Sequence, residues 1–451
     1  MNHYELVITH IGHQFYPEAH EKRREKIFKK LGDAILVLTS NPISVMSNDV
    51  EYPYRQNSDL YYLTGFEEAE SAAIFFIDQE NNKSTYYLFV RPRDKEKETW
   101  TGKRYGVEGA KKYYGPTEAF VIDKFSEKLE ELLKQHTELI FNFGVDKEKD
   151  IEIINLLNKT RPSKWKEGKG INIIKDVSEF VHPFRLIKDE HEISLIKKAC
   201  EISAEAHIKA MESVKPGMWE YQLQTIIEHY FIMNGAKRAG YPTIVGSGEN
   251  ATILHYTENN HQIKDGDLVL IDAGAEYMYY NSDITRTFPA NGEFSNPQKE
   301  LYELVYKAQQ EAFKEVKPGS SLISVHNVAT KVLVEGMIEL GLLEGTVHEN
   351  IDNETYKEYY MHGTGHWLGI DVHDAGRRKY PDGSPVPLEP GMIFTVEPGI
   401  YVSPDSDAPE KYKGIGIRIE DDVLVTKDGL EILTTKVPSK LEKIEELIQK
   451  K

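Results

Sequence analysis

Short apolar runs alternate with amphipathic stretches between about residues 30 and 175. Residues 34–39, 72–77 and 85–90 are rich in β-branched, aromatic and other apolar side chains, and their length predicts β-strands. Residues 125–136 instead carry leucines at helical spacing and predict an α-helix. Strands that are apolar on both faces need covering layers, so we predict an α/β domain with a mostly buried sheet.

A change in pattern near residues 183–188 predicts the boundary between two domains, 1–183 and 184–451. Asp189 and Glu192 have the spacing of a helix-opening capping box, and the helix is predicted to continue to Ser213. Cys200 lies on the apolar stripe of this helix. That position favours a packed core residue over a reactive thiol.

The second domain contains an internal repeat. The sequence Val-Lys-Pro-Gly occurs at 214–217 and again at 316–319, each time between two predicted helices. Further along each half, a turn glycine precedes an apolar strand, and a carboxylate, Asp272 or Glu397, follows that glycine by six positions. A duplicated unit of this kind is expected to pack around a pseudo-twofold axis, which would bring the acids at the strand ends together.

Composition and charge narrow the functional classes. The 451 residues are enough for two or three domains with their own cores. The formal net charge of −18 argues against nucleic-acid binding, because surfaces that bind phosphate backbones are usually basic. The longest apolar runs, such as 35–38 and 268–271, are too short to span a bilayer, so no membrane partner is expected.

The single cysteine allows no intrachain disulfide, which fits a reducing compartment. Residues 1–19 contain several histidines and no continuous apolar stretch, so no signal peptide is expected. We therefore expect a cytoplasmic location.

Two aspartates flank a predicted hairpin. Asp272 follows the apolar strand 268–271, and Asp283 precedes a second strand, 284–288. If the chain turns back near Tyr277, the two residues face each other as a cross-strand pair, with Cβ atoms about 4.5–5.5 Å apart. Two carboxylates at that distance repel each other unless a proton or a cation lies between them. The alternative is a pair of exposed loop acids.

Two glutamates occupy comparable places. Strand alternation puts Glu420 on the same polar face as Arg418, where the guanidinium is placed to orient the carboxylate. A surface ion pair is the alternative interpretation. Glu397 follows an apolar strand directly, and a buried carboxylate there is costly without a partner.

Histidines lie near the acid-bearing strands, at His255, His362, His366 and His373. His362 and His366 are separated by two glycines and one threonine, which predicts an irregular backbone instead of a helical ligand pair. We expect one of these two to bind a metal ion and the other to face the substrate. A single histidine is more often structural, but the grouping favours function.

Four carboxylates and one imidazole suit two divalent cations. Oxygen-rich ligation without cysteine favours Mn²⁺, with Zn²⁺ and Co²⁺ as alternatives. Two such ions about 3.5–4 Å apart lower the pKa of bound water, so the predicted reaction is hydrolysis of an amide or a phosphate ester.

These motifs closely resemble those of the pita-bread metallopeptidases, specifically the Xaa-Pro aminopeptidase (aminopeptidase P) branch. The resemblance extends over most of the chain, from about residue 18 to about residue 447. The matching segments are Tyr-Arg-Gln-Asn-Ser-Asp at 54–59, Thr-Gly-Phe at 64–66, and residues 245–250, 254–259, 267–288, 362–374, 395–401 and 414–422. The resemblance implies an α/β N-terminal domain plus an α+β C-terminal pita-bread domain with an internal pseudo-twofold duplication.

The resemblance also implies a role for each candidate residue. The metal ligands would be Asp272, Asp283, His366, Glu397 and Glu420. Among them Asp283 and Glu420 would bridge two cations, and Glu397 would also act as the base or proton shuttle. The substrate contacts would be His255, His362 and His373, with His373 or His255 stabilising the oxyanion. The supporting residues would be Arg418 and Tyr401, with Asp59 and Trp100 near the entrance, often against a neighbouring subunit.

The implied reaction releases the N-terminal residue from peptides with proline at the second position. A homo-oligomer, either a dimer or a tetramer, is expected from the same resemblance. The nearest alternative is an Xaa-Pro dipeptidase (prolidase), which uses the same ligands. A creatinase-like amidinohydrolase lacks those ligands, and a non-catalytic peptide-binding module on the same fold is the remaining alternative.

Overall fold

The computed structural model describes residues 16–162 and 169–450. The expectation about a signal peptide concerns residues that lie mostly outside this part of the chain. The chain divides into two compact units, Met1–Arg185 and Leu186–Lys451, so the division falls two residues after the predicted boundary. Within the described ranges, no helix has both the length and the apolar character needed to cross a membrane.

The N-terminal unit is built around one mixed sheet. Its strands are β1 (Ala34–Thr39), β2 (Val45–Ser47), β3 (Val50–Glu51), β4 (Ala72–Asp78), β5 (Lys83–Val90), β6 (Glu118–Val121), β7 (Glu138–Ile140) and β8 (Ile173–Lys175). Its helices are α1 (Pro17–Leu31), α2 (Ser58–Thr64), α3 (Lys95–Thr101), α4 (Gly106–Tyr114), α5 (Phe125–Leu133), α6 (Lys147–Thr160), α7 (Val177–Phe180) and α8 (His182–Leu186).

The sheet has the order β6-β5-β4-β1-β7-β8, and β2 pairs with β3 separately. The central pairs β1–β4 and β4–β5 are antiparallel, whereas β1–β7, β5–β6 and β7–β8 are parallel. Ile35 and Val37 of β1 pack with Leu129 and Leu133 of α5 in one apolar core. The predicted strands, the predicted helix and the α/β class are therefore confirmed.

The C-terminal unit combines long helices with short antiparallel strands. Its helices are α9 (Glu190–Ser213), α10 (Glu220–Met233), α11 (Asn296–Glu315), α12 (Leu322–Glu339), α13 (Val347–Asp352) and α14 (Leu441–Gln449). Its strands are β9 (Arg238–Ala239), β10 (Ile244–Ser247), β11 (Leu268–Asp272), β12 (Ala275–Tyr277), β13 (Tyr280–Asn281), β14 (Thr285–Pro289), β15 (Ile393–Val396), β16 (Gly399–Val402), β17 (Ile415–Arg418), β18 (Asp421–Thr426) and β19 (Gly429–Ile432).

Helix α9 begins and ends where the sequence predicts. The Asp189 carboxylate accepts a hydrogen bond from the Glu192 backbone N–H at 2.9 Å, and the Glu192 carboxylate accepts one from the Asp189 N–H at 3.0 Å, which completes the capping box. Cys200 is buried on this helix, and its thiol donates to Oδ2 of Asp422 at 3.2 Å. It is a core residue, as its position in the stripe predicts.

The internal repeat appears as matching elements in the same order. Helices α9 and α10 are joined by one Pro-Gly turn, and helices α11 and α12 by the other. The Gly217 N–H donates to the Ile263 carbonyl at 2.8 Å, and the Gly319 N–H donates to the Leu388 carbonyl at 2.9 Å. These equivalent bonds tie each turn to the segment that leads into the acid-bearing strand, so the two halves follow the same local plan.

The acid-bearing strands lie in sheets that are packed against these helices. Strands β10-β11-β14 form one sheet, β15-β18-β19 another, and β16 pairs with β17. Residues of α9, α10, α11, α12, β11 and β14 share one apolar core, and residues of α11, α12, β15 and β18 share a second. Each acid at a strand end is therefore attached to a rigid, buried support.

Candidate metal centre

Asp272 and Asp283 lie on the same face of one hairpin, but they are not directly opposite. Strand pairing sets Asp272 opposite Thr285, so Asp283 is displaced by two residues along the partner strand. The predicted direct pair was therefore wrong. The two aspartates are diagonal neighbours, and the Cα atoms of such neighbours are about 7–8 Å apart in a regular antiparallel pair. The chain reverses at Met278 and Tyr279, whose φ angles of 48° and 71° are both left-handed.

Tyr241 connects the two aspartates. Its hydroxyl oxygen lies 2.6 Å from Oδ1 of Asp272 and 2.5 Å from Oδ1 of Asp283. Burial, followed by the charges of these two carboxylates, raises the pKa of Tyr241 well above its usual value, so the phenol keeps its proton. No periodic or motif signal marks Tyr241 in the sequence, because it reaches the aspartates from a separate segment.

Three potential metal ligands lie close together. The ligand atoms of Asp283, His366 and Glu420 all lie within 4.8 Å of one another. Glu420 is held from two sides by Thr285, whose hydroxyl donates to Oε2 at 2.6 Å and whose carbonyl accepts from the Glu420 N–H at 3.1 Å. Thr285 was missed by the sequence reasoning, although strand alternation puts it on the face that carries Asp283.

The ring of His366 is oriented for binding through Nε2. Its Nδ1 lies 3.1 Å from the Trp367 carbonyl, which can only accept, so Nδ1 carries the proton. The Nε2 atom lies 3.4 Å from Oδ2 of Asp283 and 3.6 Å from Oε1 of Glu397. Burial lowers the pKa of His366, but the hydrogen bond to Asp283 and the charge of Glu397 outweigh it and raise the pKa to about 9, so Nε2 carries a proton that a cation bound by the same acids would replace.

Glu397 is fixed on the loop between β15 and β16. Its backbone N–H donates to the Thr364 carbonyl at 2.8 Å, and the Thr395 hydroxyl donates to its Oε1 at 3.2 Å. The same Thr395 hydroxyl accepts from the His366 N–H at 3.1 Å. One threonine therefore couples the positions of the carboxylate and the imidazole.

The electrostatics of the acids favour a bound cation. Burial raises the pKa of Glu420 well above its ordinary value, and the charges of Asp283 and Glu397 raise it further. Burial and the Asp272 charge raise the pKa of Asp283, and burial is the main cause that raises the pKa of Glu397 to about 7. Buried carboxylates that repel one another need protons or cations, and this oxygen-rich set with one imidazole fits a divalent metal.

Arg418 supports Asp272 directly. Its Nη2 donates to Oδ2 of Asp272 at 2.6 Å, its Nη1 donates to the Tyr401 hydroxyl at 3.0 Å, and its Nε donates to the Thr285 hydroxyl at 3.0 Å. The prediction that this guanidinium orients Glu420 needs correction. It reaches Glu420 only through Thr285, because the nearest carboxylate across the sheet belongs to β11.

His362 and His373 face the same region as neutral rings. The His362 Nδ1 lies 2.9 Å from the Gly363 carbonyl, so Nε2 accepts from the Tyr401 hydroxyl at 2.8 Å. Burial lowers the pKa of His362 to about 3. The ring of His373 is centred 4.2 Å from that of His366 in an edge-on contact, and burial lowers its pKa as well.

A cavity of about 660 Å³ in the C-terminal unit collects these side chains. Its lining includes the candidate ligands and histidines, namely Asp272, Asp283, His366, Glu397, Glu420, His255, His362 and His373, together with Tyr241, Trp367, Arg378 and Arg418. Tyr401 is not part of the lining, and it contacts the site through Arg418 and His362. The structure thus brings together the predicted site residues of this unit.

The two remaining candidates belong to the N-terminal unit. Asp59 is buried, and its Oδ1 accepts from Nη1 of Arg185 at 2.8 Å. Burial raises its pKa, but Arg185 and His182 outweigh that effect and hold the pKa below its usual value. Trp100 is 86% exposed on α3. Their role near an entrance remains a prediction.

The duplicated strand ends, the buried acids and the oriented imidazole define a metal-dependent hydrolytic enzyme. The comparison with known families makes the class specific. The chain belongs to Metallopeptidase family M24, which matches residues 194–427, and the domain described as "Aminopeptidase P, N-terminal domain" matches residues 20–141. The predicted resemblance and fold class are therefore confirmed, and the protein is a metallopeptidase.

Similar proteins match along almost the whole chain. The Xaa-Pro aminopeptidase of Escherichia coli is 42% identical over 95% of this chain and 97% of that protein. The Xaa-Pro aminopeptidase of Haemophilus influenzae is 42% identical over 96% of this chain and 97% of that protein. The structure of Pseudomonas aeruginosa aminopeptidase PepP has a TM-score of 0.92 at 42% identity, covering 97% of this chain and 98% of that chain.

Proposed function

We propose that this metallopeptidase releases the N-terminal residue from peptides that have proline at the second position. The observation that carries the proposal is the convergence of five candidate ligands and three histidines on one cavity of the C-terminal unit. The relatives named Xaa-Pro aminopeptidase, at 42% identity over nearly the full length, support this substrate class.

We propose that the site holds two divalent cations, and that Mn²⁺ is the metal it favours. Asp272 would bind one cation, His366 and Glu397 would bind the other, and Asp283 and Glu420 would lie between them. The raised pKa values of Asp283, Glu397 and Glu420 support this arrangement, because cations would replace protons among carboxylates that repel one another. When bound, such cations polarise a carbonyl and lower the pKa of water.

The side chains around the cations would have separate tasks. Tyr241 and Arg418 hold the two oxygens of Asp272, which keeps this carboxylate in one orientation. The prolyl nitrogen carries no proton in the peptide, so it must gain one as the C–N bond breaks. Glu397 is the candidate base that would take a proton from the attacking water and pass it to this nitrogen.

The three histidines that are not metal ligands would contact the substrate. An uncharged imidazole N–H is a hydrogen-bond donor, and a donor aimed at the scissile carbonyl stabilises the negative charge that develops there. His373 and His255 are the candidates, because both line the cavity. His362 would position the peptide, since the Tyr401 hydroxyl and the Gly363 carbonyl fix both of its ring nitrogens.

We further propose a cytoplasmic homo-oligomer, either a dimer or a tetramer, in which Asp59 and Trp100 lie near the cavity entrance. The 86% exposure of Trp100 supports a role at a surface that a second subunit covers. Light scattering on the purified protein tests the subunit number, and a monomer at micromolar concentration would contradict it.

The proposed activity is tested with three peptides and the metal-loaded enzyme. We expect rapid release of alanine from Ala-Pro-Ala, slower cleavage of the dipeptide Ala-Pro, and little cleavage of Ala-Ala-Ala. A preference for Ala-Pro would identify a prolidase instead. Asp283→Asn should abolish turnover, whereas the exposed control Asp405→Asn should not change it. No turnover by the wild-type protein, together with no bound metal, would indicate a non-catalytic peptide-binding module.

A further inference from the structure

The cavity lining contains two guanidinium groups in different environments. Arg418 is buried and donates to Asp272, Thr285 and Tyr401. Arg378 is exposed at the cavity. Within residues 16–162 and 169–450, its guanidinium has no ion pair and no side-chain hydrogen bond. Arg378 therefore offers an uncommitted positive charge to whatever enters the cavity.

The backbone of Arg378 is held in a hydrogen-bonded hairpin. Its carbonyl accepts from the Val386 N–H at 3.0 Å, and the Tyr380 N–H donates to the Ser384 carbonyl at 2.8 Å nearer the tip. A fixed backbone restricts the guanidinium to the region that its own side chain can reach. The charge therefore has a defined position on the cavity wall.

That position lies beside the substrate-facing loop. The Nη1 atom of Arg378 is 3.2 Å from the point that a Cβ atom on Gly363 would occupy. Gly363 follows His362, whose Nδ1 lies 3.6 Å from Oε2 of Glu397. The guanidinium is therefore one residue along the loop from a histidine that contacts the acid cluster.

The place of cleavage gives a bound peptide a direction. In the proposed reaction the first peptide bond lies at the acid cluster, so the rest of the peptide extends into the remaining cavity, where the guanidinium of Arg378 attracts carboxylates and repels cations. An arginine fork matches the geometry of a carboxylate and can bind both of its oxygens. The part of the peptide beyond the scissile bond thus extends toward Arg378.

We propose, on the basis of the proposed function, that Arg378 is a specificity-determining residue that binds a carboxylate on the leaving side of the substrate. The carboxylate has two sources, which are the free C-terminus of a short peptide and an acidic side chain after the proline. Arg378 thereby favours short or acidic peptides over long neutral or basic ones.

Two matched peptide pairs distinguish the sources. Ala-Pro-Ala is compared with Ala-Pro-Ala-amide for the C-terminus, and Ala-Pro-Asp-amide with Ala-Pro-Asn-amide for the side chain. The metal-loaded wild-type enzyme should prefer the charged member of at least one pair by roughly two- to fivefold in kcat/KM, as expected for an ion pair in an exposed site. The preference should shrink in 0.5 M salt because the charges are screened.

The variants assign the preference to this side chain. Arg378→Gln should reduce the ratio of kcat/KM between the charged and the neutral peptide of each pair to about one. The kcat/KM for the neutral peptides should stay within roughly twofold of the wild-type value. Arg378→Glu should make Ala-Pro-Lys-amide a better substrate than Ala-Pro-Asp-amide. Lys379→Gln removes a neighbouring exposed charge outside the cavity lining and should keep the wild-type ratio.

Three outcomes would overturn the inference. They are a wild-type ratio of one for both pairs, a ratio unchanged in Arg378→Gln, and an equal loss in Lys379→Gln. Failure of the wild-type enzyme to cleave any of these peptides would instead refute the proposed function.

Discussion

Arg418 and Asp272 form a buried ion pair, with Nη2 of the guanidinium 2.6 Å from Oδ2 of the carboxylate. The other carboxylate oxygen, Oδ1, faces the Tyr241 hydroxyl at 2.6 Å. Other N–H groups of Arg418 donate to the hydroxyls of Tyr401 and Thr285. Tyr401 in turn contacts His362, and Thr285 contacts Glu420. The Arg418 side chain therefore connects Asp272 to both of these residues. A planar guanidinium can make these contacts together, whereas a lysine ammonium cannot.

We predict that Arg418→Lys keeps the charge but lowers kcat/KM by roughly 10–100-fold, the usual cost of losing a residue that orients a metal ligand. Arg418→Met should also lower the free energy of unfolding by about 3–5 kcal/mol, because Asp272 is then buried without its partner. Steady-state kinetics of the metal-loaded proteins and thermal unfolding of the metal-free proteins measure the two effects. The exposed Arg161→Lys is the control. Wild-type kcat/KM in Arg418→Lys would contradict the orienting role.

The stabilisation provided by metal should grow as the pH rises. In the metal-free protein the pKa of Glu397 is about 7, raised chiefly by burial above its ordinary 4.5, so the native state keeps a proton that the unfolded chain releases in this interval. The contribution of Glu397 to the free energy of unfolding of the metal-free protein therefore falls between about pH 4.5 and 7. A bound cation takes the place of that proton, so the metal-loaded protein does not lose this stability.

The measurement is the difference in unfolding temperature between the metal-loaded and chelator-treated proteins at several pH values. Taking the difference removes the contribution of buried groups that bind no metal, such as His362. Glu397→Gln should weaken the dependence without abolishing it, since its amide does not titrate but Asp283, Glu420 and His366 still do. A difference that stays constant from pH 4.5 to 7 in the wild-type protein would contradict the prediction.

The strands and the duplication could be predicted because their signals are local. Each acid follows a run of apolar residues, and the turn glycines before those runs, Gly266 and Gly391, both adopt left-handed φ angles, 85° and 96°. Register was harder to predict. The hairpin turns at Met278 and Tyr279, which are not typical residues for left-handed φ, so the sequence carried no marker of the exact pairing.

Contacts between distant segments account for the other differences. Alternation correctly put Arg418 on a polar face, but it could not show that the nearest carboxylate comes from β11. Tyr241 lacks any motif that would connect it with the aspartates. The choice between His362 and His366 stayed open in the sequence reasoning from residues alone, because it depends on ring orientation, which the Trp367 and Gly363 carbonyls determine.

His373 and His366 should respond differently to truncation although their rings are in contact. We predict that His373→Ala retains its metal content and loses roughly 10²–10³ in kcat, as expected for the loss of a donor that stabilises the oxyanion. His366→Ala should lose metal, with one cation released more readily than the other, because the site has a single candidate imidazole ligand. Elemental analysis of both variants, with kinetics at saturating metal, distinguishes these effects. Metal loss in His373→Ala or full retention in His366→Ala would reverse the assignment.

The ion pair between Lys188 and Asp374 should position the His373 loop. The Lys188 Nζ lies 2.9 Å from Oδ2 of Asp374, and their side chains are 0% and 2% exposed. The Asp374 N–H donates to the Trp367 carbonyl at 2.8 Å, so the residue after His373 is held at two points. Lys188→Met should lower the free energy of unfolding by about 3–5 kcal/mol, because it removes the cation that balances the buried Asp374 carboxylate.

The double variant Lys188→Met/Asp374→Leu separates positioning from stability. Replacing both charges by apolar groups should restore most of the unfolding temperature, since a buried pair and an apolar pair are often similar in stability. The kcat should nevertheless remain lower than in the wild-type enzyme, because His373 is no longer held by its neighbour. The exposed pair of Lys443 and Glu446 is the control, and Lys443→Met should change neither quantity appreciably. Recovery of kcat in parallel with stability would show that the buried pair only maintains the fold.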